Sequence, residues 1–328
     1  MQDPGTTQEV TAGERSGRGD PQLSVILVTD GLELVGEVLT HLQAQTTRDE
    51  IELVLVTPRG SVDGNVSQEL EGFHSARVIN ADTRASAPAA RAAGIAAARA
   101  PVIVMSETHC FPAPNWGQAL IEAHRGPWAA VGPEIDNENP DRPGSWANLF
   151  VDYATWIAPA SRGPAEDLPG HNSSYKRDLL LAYGEELPRM LESESILHWD
   201  LRSQGHRLYT ETRAKVRHRN ITRVMPALVE HFHNGRCFGG LRARNWHPLR
   251  RALYVAASPL VPVIRLRRIL REARRSNRPD ILPGALPMMV SSLLAHAAGE
   301  LTGYAIGSGE AARAMVTYEL DRNTYVEP

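Results

Sequence analysis

The first half of the chain alternates short apolar runs with amphipathic stretches. Apolar runs at Leu23–Thr29, Ile51–Thr57 and Val102–Met105 have the length and the β-branched content of buried strands. Helical spacing follows the first run at 32–45, and an alanine-rich segment at 86–99 precedes the third. Strand, helix, strand, helix, strand is the order of right-handed parallel crossovers. We therefore predict an α/β fold with a doubly wound sheet.

The pattern continues less regularly as far as Asn220. One more short strand is expected at Ala76–Asn80. Helical spacing predicts helices at 116–124, 145–156 and 191–204. Short apolar runs predict strands at 129–132, 207–210 and 215–218.

The character of the sequence changes after Asn220. Between Arg242 and Arg278 there are eleven arginines against one glutamate, and they flank an apolar piece at 252–264. Residues 281–304 are again apolar but carry prolines, serines and a glutamate. Segments so interrupted favour helices that lie on an anionic membrane surface over helices that span it. The alternative is a helical appendage packed on the α/β domain.

Composition and charge limit the possible function classes and the cellular compartment. The formal net charge of −3 gives no sign of nucleic-acid binding. Two distant cysteines, Cys110 and Cys237, indicate no disulfide framework and favour the reducing cytoplasm. Residues 1–20 are polar without an apolar segment, which predicts a disordered leader and no secretory signal. The predicted organisation is a leader at 1–20, an α/β domain at 21–220 and a helical, membrane-associating region at 221–328.

Candidate functional residues lie at the carboxyl end of the predicted strand Val102–Met105. Glu107 and His109 follow Val102–Met105 directly, and a turn with Pro112 and Pro114 comes next. Open α/β sheets bind their ligands at the carboxyl ends of such strands. The alternative is structural: the two side chains pair with each other or cap the turn.

Several segments, taken in order, resemble family 2 glycosyltransferases with the GT-A fold. They are LSVILVT, ARAAGIAAARAPVIVMSETHCFPAPNW, GHNSSYKRDLL and ESESILHWDLRSQGHRL followed by AKVRH, spread over about residues 23–218. The resemblance implies a GT-A-type, Rossmann-like doubly wound mixed sheet with a C-terminal helical appendage. It also implies an inverting, hexosyltransferase-like enzyme that moves a sugar from a nucleoside-diphosphate sugar to a hydroxyl of a glycan, lipid or small-molecule acceptor. The expected location is the cytoplasm, peripherally on the inner face of the cell membrane.

In that family an Asp-x-Asp motif holds a divalent metal on the diphosphate. Here Glu107-Thr108-His109 stands in its place, and His218 after AKVRH matches a further metal or diphosphate contact. The resemblance thus implies Mn²⁺ or Mg²⁺ at Glu107, His109 and His218, and the imidazoles favour Mn²⁺. A metal-independent site on the same residues is the alternative.

The resemblance also implies a catalytic base. Counting back from Gly205 places the second acid of the family's acidic pair at Glu194, with Ser193 in place of the first. A carboxylate there would accept the proton of the attacking hydroxyl. Glu192 is the neighbouring candidate, expected on another side of the same helix.

The remaining expected contacts fall into two groups. Nucleotide contacts are assigned to Thr29, Asp30, Arg91 and Glu107, with Asp63 as a substitute for an acid usual after the second strand; contacts to the donor or acceptor sugar are assigned to Trp116, Gly170, His171 and Asn172. The structural alternative for the last segment is that Asn172 or Ser173 caps a helix running toward Leu181.

Two other functions compete with this one. A non-catalytic GT-A-like module that binds a nucleotide or glycan would explain the replaced family acids. A dinucleotide enzyme is disfavoured because Thr29-Asp30-Gly31-Leu32-Glu33 is not a Gly-x-Gly-x-x-Gly turn. Titratable groups at positions 107, 109, 194 and 218 together favour catalysis.

Overall fold

The computed structural model describes residues 19–61, 70–275 and 279–327. The predicted leader, apart from Gly19 and Asp20, and the substitute acid Asp63 lie outside the described residues. The chain divides into two compact units, and each is considered by itself. The first takes the residues up to Glu134 and 161–217, and the second takes 135–160 and the residues from His218 on.

The secondary structure is best given as two lists. The described strands are β1 (Leu23–Val28), β2 (Ile51–Thr57), β3 (Ser75–Asn80), β4 (Val102–Ser106), β5 (Cys110–Pro112), β6 (Trp128–Asn137), β7 (Gly163–Ala165), β8 (Ser174–Lys176) and β9 (Arg207–His218). The described α-helices are α1 (Gly36–Gln43), α2 (Ala87–Ala97), α3 (Trp116–His124), α4 (Pro143–Tyr153), α5 (Arg177–Leu181), α6 (Leu187–Met190), α7 (Glu194–Ser203), α8 (Val224–Arg242), α9 (Pro248–Ala257), α10 (Val261–Ala273), α11 (Leu282–Ile306) and α12 (Ala311–Leu320).

A mixed sheet organises the first unit, in the order β3-β2-β1-β4-β8-β6-β9-β5, with β7 paired to β9. β1 runs parallel to β2 and β4, with Leu23 opposite both Ile51 and Val102, and β3 runs parallel to β2. β8 is antiparallel to β4 and β6. The carboxyl ends of the four parallel strands therefore meet at one edge of the sheet, which places the chain segment after β4 where such sheets bind ligands.

Burial explains why the parallel strands could be predicted from the sequence. Every residue of β1, β2 and β4 is buried, because helices cover both faces of a parallel sheet. The packing is close where α2 crosses the sheet: a Cβ on Gly94 would lie 2.7 Å from the Ile26 side chain and 2.8 Å from that of Val56. Continuous apolar runs and a small helix residue are what this arrangement requires.

Three expectations need correction. The ranges 207–210 and 215–218 are one strand, β9, which continues through the polar residues between them: the Glu211 carboxylate is fully enclosed and lies 2.9 Å from both Arg162 and Arg213. Glu192 precedes α7 and shares no helix with Glu194. Asn172 and Ser173 cap no helix, because strand β8 follows them and Lys176 stands before α5.

The second unit is helical, and its two longest helices pack almost backbone to backbone. A Cβ on Gly299 of α11 would lie 2.0 Å from the Phe232 carbonyl oxygen of α8, and one on Gly235 of α8 would lie 2.1 Å from the His296 carbonyl oxygen of α11. Side chains at these positions would collide with backbone, which cannot move aside as a flexible side-chain end can. Glycine is therefore required along this contact.

Replacing Gly299 with alanine is expected to destabilise the second unit by about 1–3 kcal/mol, because the added methyl group overpacks the contact between α8 and α11. Gly284→Ala is the matched control in the same helix, since its Cβ would meet only Pro143 at 3.4 Å. Denaturant unfolding of both variants measures the difference. Equal stabilities would contradict the close-packed helix pair.

The same unit carries an exposed apolar surface on α9 and α10. Leu249 is 76% exposed, Leu253 64% and Ile264 65%, with arginines interleaved among them. Separately, α11 is long and apolar enough to cross a membrane by length and composition, and 44% of its most apolar window is buried within the protein.

Candidate active site

Glu107 is the centre of a polar cluster at the carboxyl end of β4. It follows the last strand residue directly, and it is 5% exposed. Thr108 and His109 complete the turn before β5 begins at Cys110, and His109 is 1% exposed. A turn this short keeps the Glu107 and His109 side chains together at the ligand-binding edge of the sheet.

Four groups meet the Glu107 carboxylate. Its Oε1 lies 3.3 Å from His109 Nε2 and 3.2 Å from His171 Nδ1. Its Oε2 accepts hydrogen bonds from Asn172 Nδ2 at 2.9 Å and from the Cys110 thiol at 3.1 Å. The amide and thiol donors fix the orientation of the buried carboxylate and offset its removal from water.

Asn172 brings its segment against the end of β4. Its backbone N–H donates to the Met105 carbonyl at 2.7 Å, and its φ of 62° lies in the left-handed region. Asparagine visits this region more readily than most residues with a Cβ. The conformation lets both the backbone and the side-chain amide of Asn172 contact the motif, and it places His171 beside Glu107.

Glu194 reaches the same place from another element. It is the first residue of α7, where the helix dipole favours a carboxylate, and it is 9% exposed. Its Oε1 lies 3.3 Å from His171 Nε2, whereas His171 Nδ1 lies 3.2 Å from Glu107. One imidazole therefore stands between the carboxylate after β4 and the carboxylate that begins α7.

Gly170 makes room for the Glu194 side chain. A Cβ at this position would lie 2.8 Å from Glu194 Oε2 and 3.1 Å from its Cδ. The absence of a side chain at Gly170 thus sets where the Glu194 carboxylate can rest. The sequence assigned Gly170 to sugar contact; the structure adds this steric role.

The sequence predicts Glu194 as the base for sugar transfer. Gly170→Ala is therefore expected to lower kcat by about 10- to 100-fold, because the methyl group displaces the Glu194 carboxylate and a small misplacement of a base is costly. Gly36→Ala is the control, since its Cβ would meet nothing within 4 Å. Initial rates of both variants test the effect. A Gly170→Ala enzyme as fast as the Gly36→Ala enzyme would contradict the steric role.

A second polar chain lies behind Glu194, and the sequence reading missed it. The Tyr175 hydroxyl is 2.8 Å from His198 Nε2, and His198 Nδ1 is 2.6 Å from Asp167 Oδ1. Burial raises the pKa of Tyr175, and the nearby carboxylates of Glu194 and Asp167 raise it further. The available signal was spacing: His198 follows Glu194 by four residues and so shares its face of α7.

The cluster also has the composition of a metal site. One ligating atom from each of Glu107, His109 and Cys110 can be chosen so that all lie within 4.8 Å of one another. Oxygen, nitrogen and sulfur donors in one buried group fit a divalent transition metal better than Mg²⁺. The sequence reading named Glu107 and His109 but omitted Cys110, although it directly follows the motif.

The other predicted residues take varied positions. Thr29 is buried after β1, and its hydroxyl donates to the Gly31 carbonyl at 2.8 Å. Asp30 accepts a hydrogen bond from Thr83 and pairs with Arg84. Arg91 is buried in α2.

Trp116 and His218 are also placed. Trp116 is 1% exposed at the start of α3, so its indole is enclosed by protein. His218 ends β9 and is counted with the second unit, where its Nδ1 lies 2.7 Å from Asn220 Oδ1. Their roles in sugar contact and metal binding stay predictions.

Comparison with known proteins gives the family. Residues 25–184 match the family described as Glycosyl transferase family 2. This part of the chain, which runs from within β1 past Asn172, therefore matches the family 2 glycosyltransferases. The predicted resemblance and the predicted GT-A-like α/β fold with a C-terminal helical part are confirmed.

Solved structures show more distant similarity. The crystal structure of S. aureus TarS 1-349 in complex with UDP is 12% identical, covering 85% of this chain and 90% of that one with a TM-score of 0.45. A crystal structure of S. aureus TarS is 13% identical, covering 85% of this chain and 55% of that one with a TM-score of 0.43. No curated protein matches the chain.

Proposed function

We propose that this glycosyltransferase inverts the configuration of the sugar it moves from a nucleoside-diphosphate sugar to an acceptor hydroxyl, with Glu194 as general base. The observation that carries the proposal is the bridge Glu107–His171–Glu194, with separations of 3.2 and 3.3 Å at the carboxyl edge of the sheet. Glu194 lies beyond the range matched by the family, so its assignment rests on this bridge and on the spacing to Gly205.

The residues divide the work as follows. Glu194 accepts the acceptor's hydroxyl proton while that oxygen bonds to the anomeric carbon. The bond from that carbon to the diphosphate oxygen breaks on the opposite face, and its electron pair leaves with the nucleoside diphosphate. The proton ends on Glu194, and the sugar ends with inverted configuration. Positive charge on the sugar ring peaks midway, as in other glycosyl transfers.

Glu107, His109 and Cys110 are the residues that would hold a divalent cation, with His218 the further ligand that the sequence predicts. The donor set favours Mn²⁺ over Mg²⁺. Such a cation supplies positive charge to the departing diphosphate. Asn172 and His171, which contact Glu107, hold its carboxylate in place.

The nucleotide and the sugars are assigned to different residues around the Glu107–His171–Glu194 bridge. Thr29, Asp30 and Arg91 are proposed for the nucleotide, because Thr29 and Asp30 follow β1 at the same sheet edge as Glu107. Gly170, His171 and Asn172 are proposed for the sugars, whereas the Trp116 indole is enclosed by protein and is not. His171 is 18% exposed through its side chain, so it can reach a bound hydroxyl.

A thermal-shift screen tests donor recognition. Uridine, guanosine and thymidine diphosphates are added with and without Mn²⁺, and one of them is expected to raise Tm, more strongly with the metal present. A rise in Tm, followed by sugar transfer from the corresponding nucleoside-diphosphate sugar, supports the assignment as an enzyme. Binding without any transfer, to water included, would instead support the non-catalytic binding module.

We also propose that α9 and α10 hold the protein peripherally on the anionic inner face of the cell membrane, near a glycan or lipid acceptor. Exposed leucines and arginines on the same two helices suit an interface of acyl chains and acidic headgroups. Arg250 stacks 4.1 Å from the Trp246 ring, which gives an aromatic residue beside this surface.

Vesicle flotation checks the membrane assignment. The full chain is expected to float with phosphatidylglycerol vesicles and not with phosphatidylcholine vesicles, and Leu249→Glu/Leu253→Glu is expected to weaken binding by about tenfold or more. Ile306→Glu is the matched control, because Ile306 is 73% exposed but lies on α11. Equal flotation of both variants would contradict the proposed surface.

A further inference from the structure

A cavity of about 490 Å³ opens in the first unit away from the candidate active site. Its lining includes Pro101 and Val102, at the amino end of β4, whereas Glu107 follows the carboxyl end of the same strand. At about 3.3 Å per strand residue, the two ends lie roughly 15 Å apart. The cavity is thus a separate place, and its volume falls within the usual range of small-molecule sites.

Apolar and charged groups line this cavity. Ile121 and Leu179 contribute apolar surface together with Val102. Lys176 and Arg125 contribute two positive charges, against one carboxylate from Asp178. Among the described residues, the Lys176 ammonium has no ion pair or hydrogen bond within the protein. A cation beside an apolar wall can bind a ligand that carries both an apolar body and a negative charge.

His124 contributes a buried acceptor. The Ser174 hydroxyl donates to the Val131 carbonyl at 3.1 Å, so it accepts from His124 Nε2 at 2.9 Å, which fixes the proton on Nε2. The other nitrogen, Nδ1, is then a buried lone pair with no hydrogen-bond partner in the described part of the chain. Burial lowers the pKa of His124 to about 3, and the Lys176 charge contributes, so the ring is neutral.

We propose that this cavity is a second ligand site, for a small organic anion with an apolar body. The carboxylate or phosphate of the ligand pairs with Lys176 and Arg125. Its apolar body covers Val102, Ile121 and Leu179.

Isothermal titration of the full chain with four probes tests the site. Phenyl phosphate and benzoate carry an apolar body and a charge, inorganic phosphate lacks the body, and benzyl alcohol lacks the charge. We expect phenyl phosphate or benzoate to bind with a millimolar Kd, and the other two to bind about tenfold more weakly or not at all. Which of the two binds better distinguishes a phosphate ligand from a carboxylate.

Two variants locate the binding. Lys176→Met is expected to raise the Kd about tenfold, since it removes the charge and keeps the aliphatic stem, whereas Lys215→Met removes a lysine that pairs with Glu134 outside the cavity and should change nothing. Glu194→Gln should leave probe binding unchanged, so failure of this site and failure of the catalytic proposal are distinguishable. Equal affinity in Lys176→Met and wild type, or no binding of any probe up to about 10 mM, overturns the second site.

Discussion

Replacing Glu194 with glutamine is expected to lower kcat for sugar transfer by about 10²- to 10⁴-fold, the range that a positioned general base contributes. Glutamine keeps the shape of the side chain at the start of α7 but cannot accept the hydroxyl proton. Donor binding should change by less than about twofold, because the base acts on the acceptor. Initial rates at saturating donor, with the Kd from calorimetry, measure both quantities.

Glu192→Gln is the matched control for this loss. Glu192 lies two residues earlier, before α7 begins, and its replacement by glutamine removes the same charge from the same segment. It should keep kcat within about twofold of wild type. A Glu194→Gln enzyme with wild-type kcat, or an equal loss in both variants, would exclude Glu194 as the base.

Glu107→Gln is expected to weaken nucleoside-diphosphate binding in the presence of Mn²⁺ by about 10- to 100-fold. The amide that replaces one carboxylate oxygen turns a donor toward groups that now donate to Glu107, among them Asn172 Nδ2 and the Cys110 thiol. A charge that would face the cation is lost at the same time. Calorimetric titration with and without Mn²⁺ measures the change.

Glu310→Gln separates this effect from a general response to the loss of a carboxylate, because Glu310 lies in the second unit, exposed and directly before α12. Its nucleoside-diphosphate binding should match wild type. The Mn²⁺ contribution to binding is expected to disappear in Glu107→Gln alone. A metal contribution that survives this substitution would place the cation elsewhere.

The parallel core of the sheet could be predicted because burial on both faces demands uninterrupted apolar residues. β2 has the range that the sequence predicts, Ile51–Thr57, and all of it is buried. β9 was divided in the prediction because Glu211 interrupts its apolar pattern. The buried Glu211 carboxylate pairs with Arg213, two residues away, and with Arg162, and the pairing with the distant Arg162 leaves no local trace in sequence.

The site shows the same division between local and long-range information. Glu107 and His109 are adjacent to a strand end, so local pattern and family spacing suffice to find them. The contact of His171 with both Glu107 and Glu194 joins segments far apart in the chain, and it depends on the left-handed backbone at Asn172. The Tyr175–His198–Asp167 chain likewise needs three elements to be assembled before its members meet.

The most direct test of the central claim is proton NMR of the first-formed product. Wild-type protein is supplied with Mn²⁺ and with a nucleoside-diphosphate sugar that carries the nucleotide found in the thermal-shift screen. Water or a supplied alcohol is the acceptor. The proposed mechanism predicts a product whose anomeric configuration is opposite to that of the donor, formed at least about 10²-fold more slowly by Glu194→Gln. A product that retains the donor's configuration, or one formed equally fast by that variant, would contradict it.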